Sequence, residues 1–364
     1  MSSLFVVFLF GFSLAQGFLQ CEQEDGTPVD WYVLYKLPRI KASSNSLIRK
    51  GVAYAYITSR DVPKGWSLST RSIKDPYSMP GRLLQPLYNT SLSFQVNSTL
   101  WIMYNDQPPN SSDSSELGHT KGVVISQEDG GLWLVHSVPH FPPAPRDAGG
   151  YSYPDTAFHY GQSFLCISLQ ASEMDLVGIQ LTYNEPVIYD SIVPSDLEDN
   201  FPHLAAAARN VRVQTAPWYH EQELTSRQGQ TFYSFAKARR FSKELYSDWV
   251  APVLQTNLLV ETWRNGRGKL TSRCNSTFIV ENISSVKLKA ASSAFKSTDD
   301  HSKWAVADKD STSTKDWVCV GDINRMENQE NRGGGTVCIN HPKLWPSYRQ
   351  LINGIEACPV AQKQ

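Results

Sequence analysis

Apolar and polar positions along the N-terminal half alternate in short runs broken by turn residues. "VDWYVLYKLP" (29–38) and "SLSFQVNSTLWIMYNDQPP" (91–109) are rich in aromatic and β-branched residues and end at Pro or Asn-Asp, which predicts strands. "GVVIS" and "LWLVHS" flank Asp129-Gly130-Gly131 and predict a hairpin, while "WAVAD" and "WVCVGDINR" flank a longer polar turn and predict a second. "NDQPPNSSDSSE" (105–116) reads as an exposed loop, and the polar, Ala-rich stretch 195–228 as a connection between halves. Beyond it, Phe235, Ala238, Phe241, Leu245 and Trp249 fall within one arc of about 120°, which predicts an amphipathic helix over roughly 230–255. Arg239, Arg240 and Lys243 would form its solvated basic face. "LLVETW" (258–263) and "STFIVENISSVKLKA" (276–290) return to strand patterning, and "NHPKLWPSYRQLINGIEAC" predicts a short closing helix.

The opening "MSSLFVVFLFGFSLAQG" has the length of a signal peptide, though without a basic start, and places the first mature residue near 18–21. No later stretch approaches the ~20 continuous apolar residues of a membrane helix. Six cysteines, Cys21, Cys166, Cys274, Cys319, Cys338 and Cys358, show no paired spacing of a zinc site, so three disulfides are expected in a secretory chain. Sequons at Asn89, Asn97, Asn110, Asn275 and Asn282 point the same way. About 345 mature residues exceed one small core and imply either two domains or one large domain of two halves. With 34 basic and 35 acidic side chains the net charge is −1, and protonation of all eight histidines would bring it to +7, favouring a polyanion in acid.

Three His-x-Lys triplets occur where chance supplies roughly 0.4: His119-Thr-Lys121, His301-Ser-Lys303 and His341-Pro-Lys343. The third is set aside, because Pro342 cannot donate in a ladder and no apolar strand follows. In the other two the imidazole and ammonium fall on one side of a strand leading into a hairpin. Each hairpin then returns a further polar side chain, His136 in the first and Asn324 in the second. Two imidazoles and two ammonium groups are what phosphodiester cleavage without a metal requires: a nucleophile, an acid and fixed cations. No HExxH, DxDxDG or Cys-pair pattern competes. His140 and His159 read as structural histidines.

"GHTKGV", "WLVHSVPHFPP", "DHSKW", "CVGDINR", "VDWYVLYKLP" and "YNDQPP" closely resemble the deoxyribonuclease II family of acid endonucleases, across essentially the whole mature chain. Within the wider phospholipase D superfamily, His301-Ser-Lys303-x4-Asp308 fits the consensus, with "GDIN" displaced by about six residues; Ser126 stands at the Asp position of the first copy and His136 at its Asn position. Asp308 is left out of the site as a turn residue. The resemblance implies an α+β fold of two pseudo-repeated halves, mixed sheets flanked by helices, with the site at their seam. The divisions are a signal at 1–17 and halves at 18–200 and 201–364. It implies catalysis by His119, Lys121, His301 and Lys303, phosphate contacts from His136 and Asn324, and pairs Cys21–Cys166, Cys274–Cys358 and Cys319–Cys338. The substrate would be double-stranded DNA, cut without metal or cofactor to 3′-phosphate and 5′-hydroxyl ends through a phosphohistidine. An imidazole of ordinary pKa near ~6.5 would account for an acid optimum and a lysosomal setting, with secretion as the alternative. A lipid phosphodiesterase and a non-catalytic glycoprotein of the same fold are the rival readings, and a homodimer is left open.

Overall fold

The structure is a computed structural model that describes residues 19–88, 98–147, 149–308 and 315–358. The signal segment, Asn89, Asn97 and most of the second hairpin's turn lie outside the described residues. The first sheet holds β1 (Trp31–Lys36), β2 (Tyr54–Thr58), β3 (Ser67–Leu68), β4 (Leu100–Asn105), β5 (Lys121–Gln127), β6 (Gly130–His136), β7 (Gln162–Gln170) and β8 (Ile188–Ile192). The second holds β9 (Tyr219–Thr225), β10 (Thr231–Lys237), β11 (Asn257–Glu261), β12 (Val280–Leu288), β13 (Ser293–Lys296), β14 (Trp304–Asp308), β15 (Trp317–Gly321), β16 (Gly334–Asn340) and β17 (Ile352–Glu356).

Read across the sheets, the order β2-β1-β7-β6-β5-β4-β8 matches β9-β10-β16-β15-β14-β11-β12 strand for strand. The repeat diverges at one edge, where β4 and β8 are antiparallel but β11 and β12 parallel. Both expected hairpins are present, β5–β6 and β14–β15. Successive side chains of β1 serve opposite faces, Trp31, Val33 and Tyr35 on one and Tyr32 and Leu34 on the other. The first of these faces joins the sheets, since Trp31, Val124 and Trp133 share one buried cluster with Trp304, Val306 and Val337. At about 1.5–3 kcal/mol for each large apolar side chain buried, that shared cluster fixes the sheets to each other.

The helix expected over 230–255 is corrected: residues 231–237 are β10, an interior strand between β16 and β9. Because both faces of β10 are covered, Phe232 enters one core and Phe235 another, and apolar residues on two faces mimic helical spacing. A short 3₁₀ turn at Arg239–Phe241 follows, and the helix proper runs only from Leu245 to Leu254. The stretch 195–228 is likewise no plain connection, for it contains helices Ser195–Glu198 and Pro202–Ala208 and strand β9. Among the described residues the longest helix, Ala171–Asn184, has no clear apolar stripe in the sequence, and it packs against Pro202–Ala208 and both sheets. The closing helix is Trp345–Arg349, before β17.

Disulfides join Cys21–Cys166, Cys274–Cys358 and Cys319–Cys338, the pairs that the resemblance implied. Asn110 and Asn275 are exposed. Asn282 is not a surface acceptor: it is fully buried, its Nδ2 donates to Leu270 O (3.1 Å) and Glu356 Oε2 (3.3 Å), and its Oδ1 accepts from Arg325. Among the described residues, no helix is long and apolar enough to cross a membrane.

Candidate active site at the seam between the sheets

Each His-x-Lys segment enters its hairpin while held by the opposite sheet. The His301 N–H donates to Gly161 O at 2.8 Å, and the His119 N–H donates to Gly333 O at 2.9 Å. Gly161 precedes β7 and Gly333 precedes β16, equivalent strands of the repeat. A buried lysine pins each glycine's loop. Lys36, ending β1, donates from Nζ to the carbonyls of Ala157 (2.6 Å), Phe158 (3.2 Å) and Tyr160 (2.5 Å). Lys237, ending β10, donates to Gln329 (3.0 Å), Glu330 (3.0 Å) and Arg332 (2.6 Å). Counted back from each glycine, the accepting carbonyls stand one, three and four residues earlier in both loops. Burial drives the Lys36 ammonium well below its ordinary pKa and Lys237 down to about 8, so carbonyls rather than water hold both charges.

What flanks the two imidazoles differs. His301 lies against the rings of Tyr160 (4.5 Å, stacked) and Trp263 (4.3 Å). At the matching places His119 meets Arg332, which precedes Gly333 as Tyr160 precedes Gly161, and Asp106, which follows β4 as Trp263 follows β11. Asp106 lies 4.0 Å from His119 Nε2 and 3.2 Å from the Arg332 guanidinium, and it also accepts from Lys121 Nζ. Lys121 first, with His119 and Arg332 beside it, outweighs burial and holds its carboxyl well below the usual range. One histidine sits in an ion cluster, the other between aromatic faces.

Hydrogen bonds fix the His119 tautomer. Its Nδ1 donates to Asp322 O at 2.5 Å, because a carbonyl can only accept, and the neutral ring then keeps its lone pair on Nε2, facing Asn324 Nδ2 at 3.4 Å. Lys303 donates from Nζ to His301 O, and its own N–H donates to Ser163 Oγ at 3.1 Å. Burial and the neighbouring Lys121 charge lower Lys303 to about 7. Both His119 and His301 are held well below the ordinary imidazole value, by burial first and then by the lysines. The expectation of an unperturbed imidazole is therefore corrected, and so is the assumption that all eight histidines charge together in acid. Asp322, also buried, is raised to about 6.

The profile of the deoxyribonuclease II family matches residues 20–358. The chain belongs to the deoxyribonuclease II family. It is 41% identical over 344 residues to deoxyribonuclease-2-alpha of Rattus norvegicus, covering 93% of this chain and 95% of that one. It is 38% identical to plancitoxin-1 of Acanthaster planci (93% and 92% covered) and 34% identical to deoxyribonuclease-2-beta of Homo sapiens (96% and 94%).

In this member of the deoxyribonuclease II family, the seam gathers His119, Lys121, Lys303 and Asn324, with His301 across from them. Lys121 and Lys303 interact with each other and with both imidazoles. His136 lies behind Lys121, fully buried against Phe141 (5.3 Å) and Phe164 (5.8 Å), with Nδ1 accepting from the Val138 N–H. His341 is distant in role: its Nδ1 accepts from the Leu344 N–H at the start of a helix and its ring meets Trp31 edge-on. Asp308 pairs with Arg349. Sequence reasoning missed Asp106, Arg332, Tyr160 and Trp263, which lie outside the motif; only "YNDQPP" carried a hint of Asp106. Buried His136 Nε2, His301 Nε2 and Asn324 Oδ1 have no protein partner. Among the described residues no cluster of three or more His, Cys, Asp or Glu could hold a metal.

Proposed function

We propose that this chain is an acid endonuclease that hydrolyses double-stranded DNA without a divalent cation, through His119 as nucleophile and His301 as acid and base. The observation that carries the assignment is the bond from His119 Nδ1 to Asp322 O, which leaves Nε2 as an aimed lone pair beside Lys121 and Asn324. Nε2 attacks phosphorus, a P–N bond forms, and the P–O5′ bond breaks as His301 gives its proton to O5′. Water then loses a proton to His301 and attacks phosphorus. The P–N bond breaks, leaving a 3′-phosphate and restoring His119. Lys121, Lys303 and Arg332 neutralise the phosphoryl oxygens, and Asn324 supplies a donor, while His136, fully buried behind Lys121, does not reach the phosphate.

Acid is required because the empty site keeps both imidazoles neutral and Lys303 near the edge of losing its charge. An entering phosphate brings the countercharge that lets His301 take a proton, and low pH keeps Lys303 an ammonium. A lysosomal setting suits these demands. Plasmid cleavage at pH 5 in EDTA, with the ends mapped by phosphatase-dependent labelling, tests the reading: 3′-phosphates are expected, and activity lost in EDTA and restored by magnesium would overturn it.

A further inference from the structure

Beside the Lys36-pinned loop lies a cavity of about 630 Å³ lined by Arg39, Lys41, Arg49, Lys50, Lys74 and Phe158, and no residue that lines it is acidic. Lys41, Arg49, Lys50 and Lys74 are exposed, and Arg39 is half-buried. Lys74 has an exposed partner in Asp155 at 3.6 Å, a pairing worth little in water. Arg39 and Lys74 stand over the Phe158 ring at 5.9 and 5.2 Å. Five cations sharing one concavity repel one another unless an anion is present.

The cavity is rigidly tied to the reacting centre. Phe158 O accepts from Lys36, and Tyr160, two residues on, stacks against His301. The helix Ser46–Lys50, which carries Arg49 and Lys50, ends at Gly51 with φ +74°, and a Cβ there would lie 2.2 Å from Phe158 O. Only glycine lets the basic helix close onto the loop that positions His301. Phe158, which lines the cavity, and Tyr160, which stacks on His301, belong to one loop, so the basic cavity and the reacting centre are neighbours along it.

We propose that the cavity lined by Arg39, Lys41, Arg49, Lys50 and Lys74 is a second phosphate-binding site, which grips the duplex backbone flanking the scissile bond. The inference rests on the nuclease reading above.

The test is the triple variant Lys41→Gln, Lys50→Gln, Lys74→Gln, with kcat/KM for plasmid DNA measured at pH 5 in EDTA against salt. Bis(4-nitrophenyl) phosphate, too short to reach the cavity, is the parallel substrate. Each lost phosphate contact should flatten the slope of log(kcat/KM) on log[salt] by about 0.9, so a change of about 2 to 3 is expected. Hydrolysis of the small diester should be unchanged. An unchanged slope, or equal loss on both substrates, overturns the site. So does loss of slope in Lys64→Gln, Lys287→Gln, Lys343→Gln, which removes three of the four lysines of a different basic cavity, while the first variant keeps its slope. If the unmutated enzyme cuts neither ester in EDTA, the nuclease reading fails instead.

Discussion

Replacing Asp322 by Asn should stabilise the protein at neutral pH and leave it almost unaltered in acid. Asp322 is buried, its Oδ1 accepts from the Gly335 N–H at 2.9 Å, and burial raises its pKa from 3.8 to about 6. A raised acid binds more protons folded than unfolded, so its neutral form's stability is complete below 3.8 and is lost as pH rises towards 6. A difference of about two units costs the ionised protein about 3 kcal/mol at pH 7, about 1.6 at pH 5 and about 0.5 at pH 4. Asn escapes that cost, keeps an acceptor for Gly335, and leaves the backbone carbonyl that holds His119. With ~2.1 cal/mol/K of unfolding entropy per residue over about 340 residues, 3 kcal/mol is a midpoint shift of about 4 °C. Thermal unfolding of both proteins from pH 4 to pH 7 reads the difference directly. Depressed His119, His136 and His301 act oppositely, costing stability as pH falls below 6.5, but they are common to both proteins and cancel. A pH-independent difference, or a less stable variant at pH 7, would refute the reasoning.

His119→Ala and His301→Ala should each lower kcat on DNA by at least ~10²- to 10⁴-fold, whereas His341→Ala should cost about 1 kcal/mol of stability and little activity; comparable losses in all three would return the third triplet to the site. Lys36→Met strands three buried carbonyls and should cost about 3–5 kcal/mol, with kcat falling more than KM rises as the Gly161 loop releases His301. Lys237→Met should do the same to His119, and denaturation midpoints that do not move in either variant would contradict the bracing. The pH-rate profile should be bell-shaped, falling as pH rises through about 7 where Lys303 discharges, and its apparent values belong to the coupled site. Duplex binding at pH 5 should take up a proton, seen by calorimetry in buffers of differing ionisation heat; zero uptake counts against a His301 that charges only with phosphate.

The motif strands were legible because their signals are local: apolar alternation, turn residues, and a His-x-Lys whose two side chains share a face. The 230–255 segment misled because β10 is covered on both faces, so its apolar residues follow no period of two. The Ala171–Asn184 helix lacked an apolar stripe for the related reason that it packs between layers. In the site, His119 and His301 could be read from spacing, but their surroundings could not. Asp106 and Arg332 are separated by 226 residues and meet only through the fold. Ordinary imidazole pKa values failed for the same cause, since desolvation and the crossing lysine charges are tertiary.

The reciprocal bonds from His119 to Gly333 and from His301 to Gly161 make the reactive centre an interlock. Neither half could orient its own imidazole if separated, because the carbonyl and the pinned loop that seat each ring belong to the other half. Turnover is thereby conditional on completed assembly: a chain caught partway through folding in the secretory route carries both triplets yet remains inert towards nucleic acid. A cut between the helix Pro202–Ala208 and β9, where most residues are exposed, would be silent so long as the shared core keeps the halves docked.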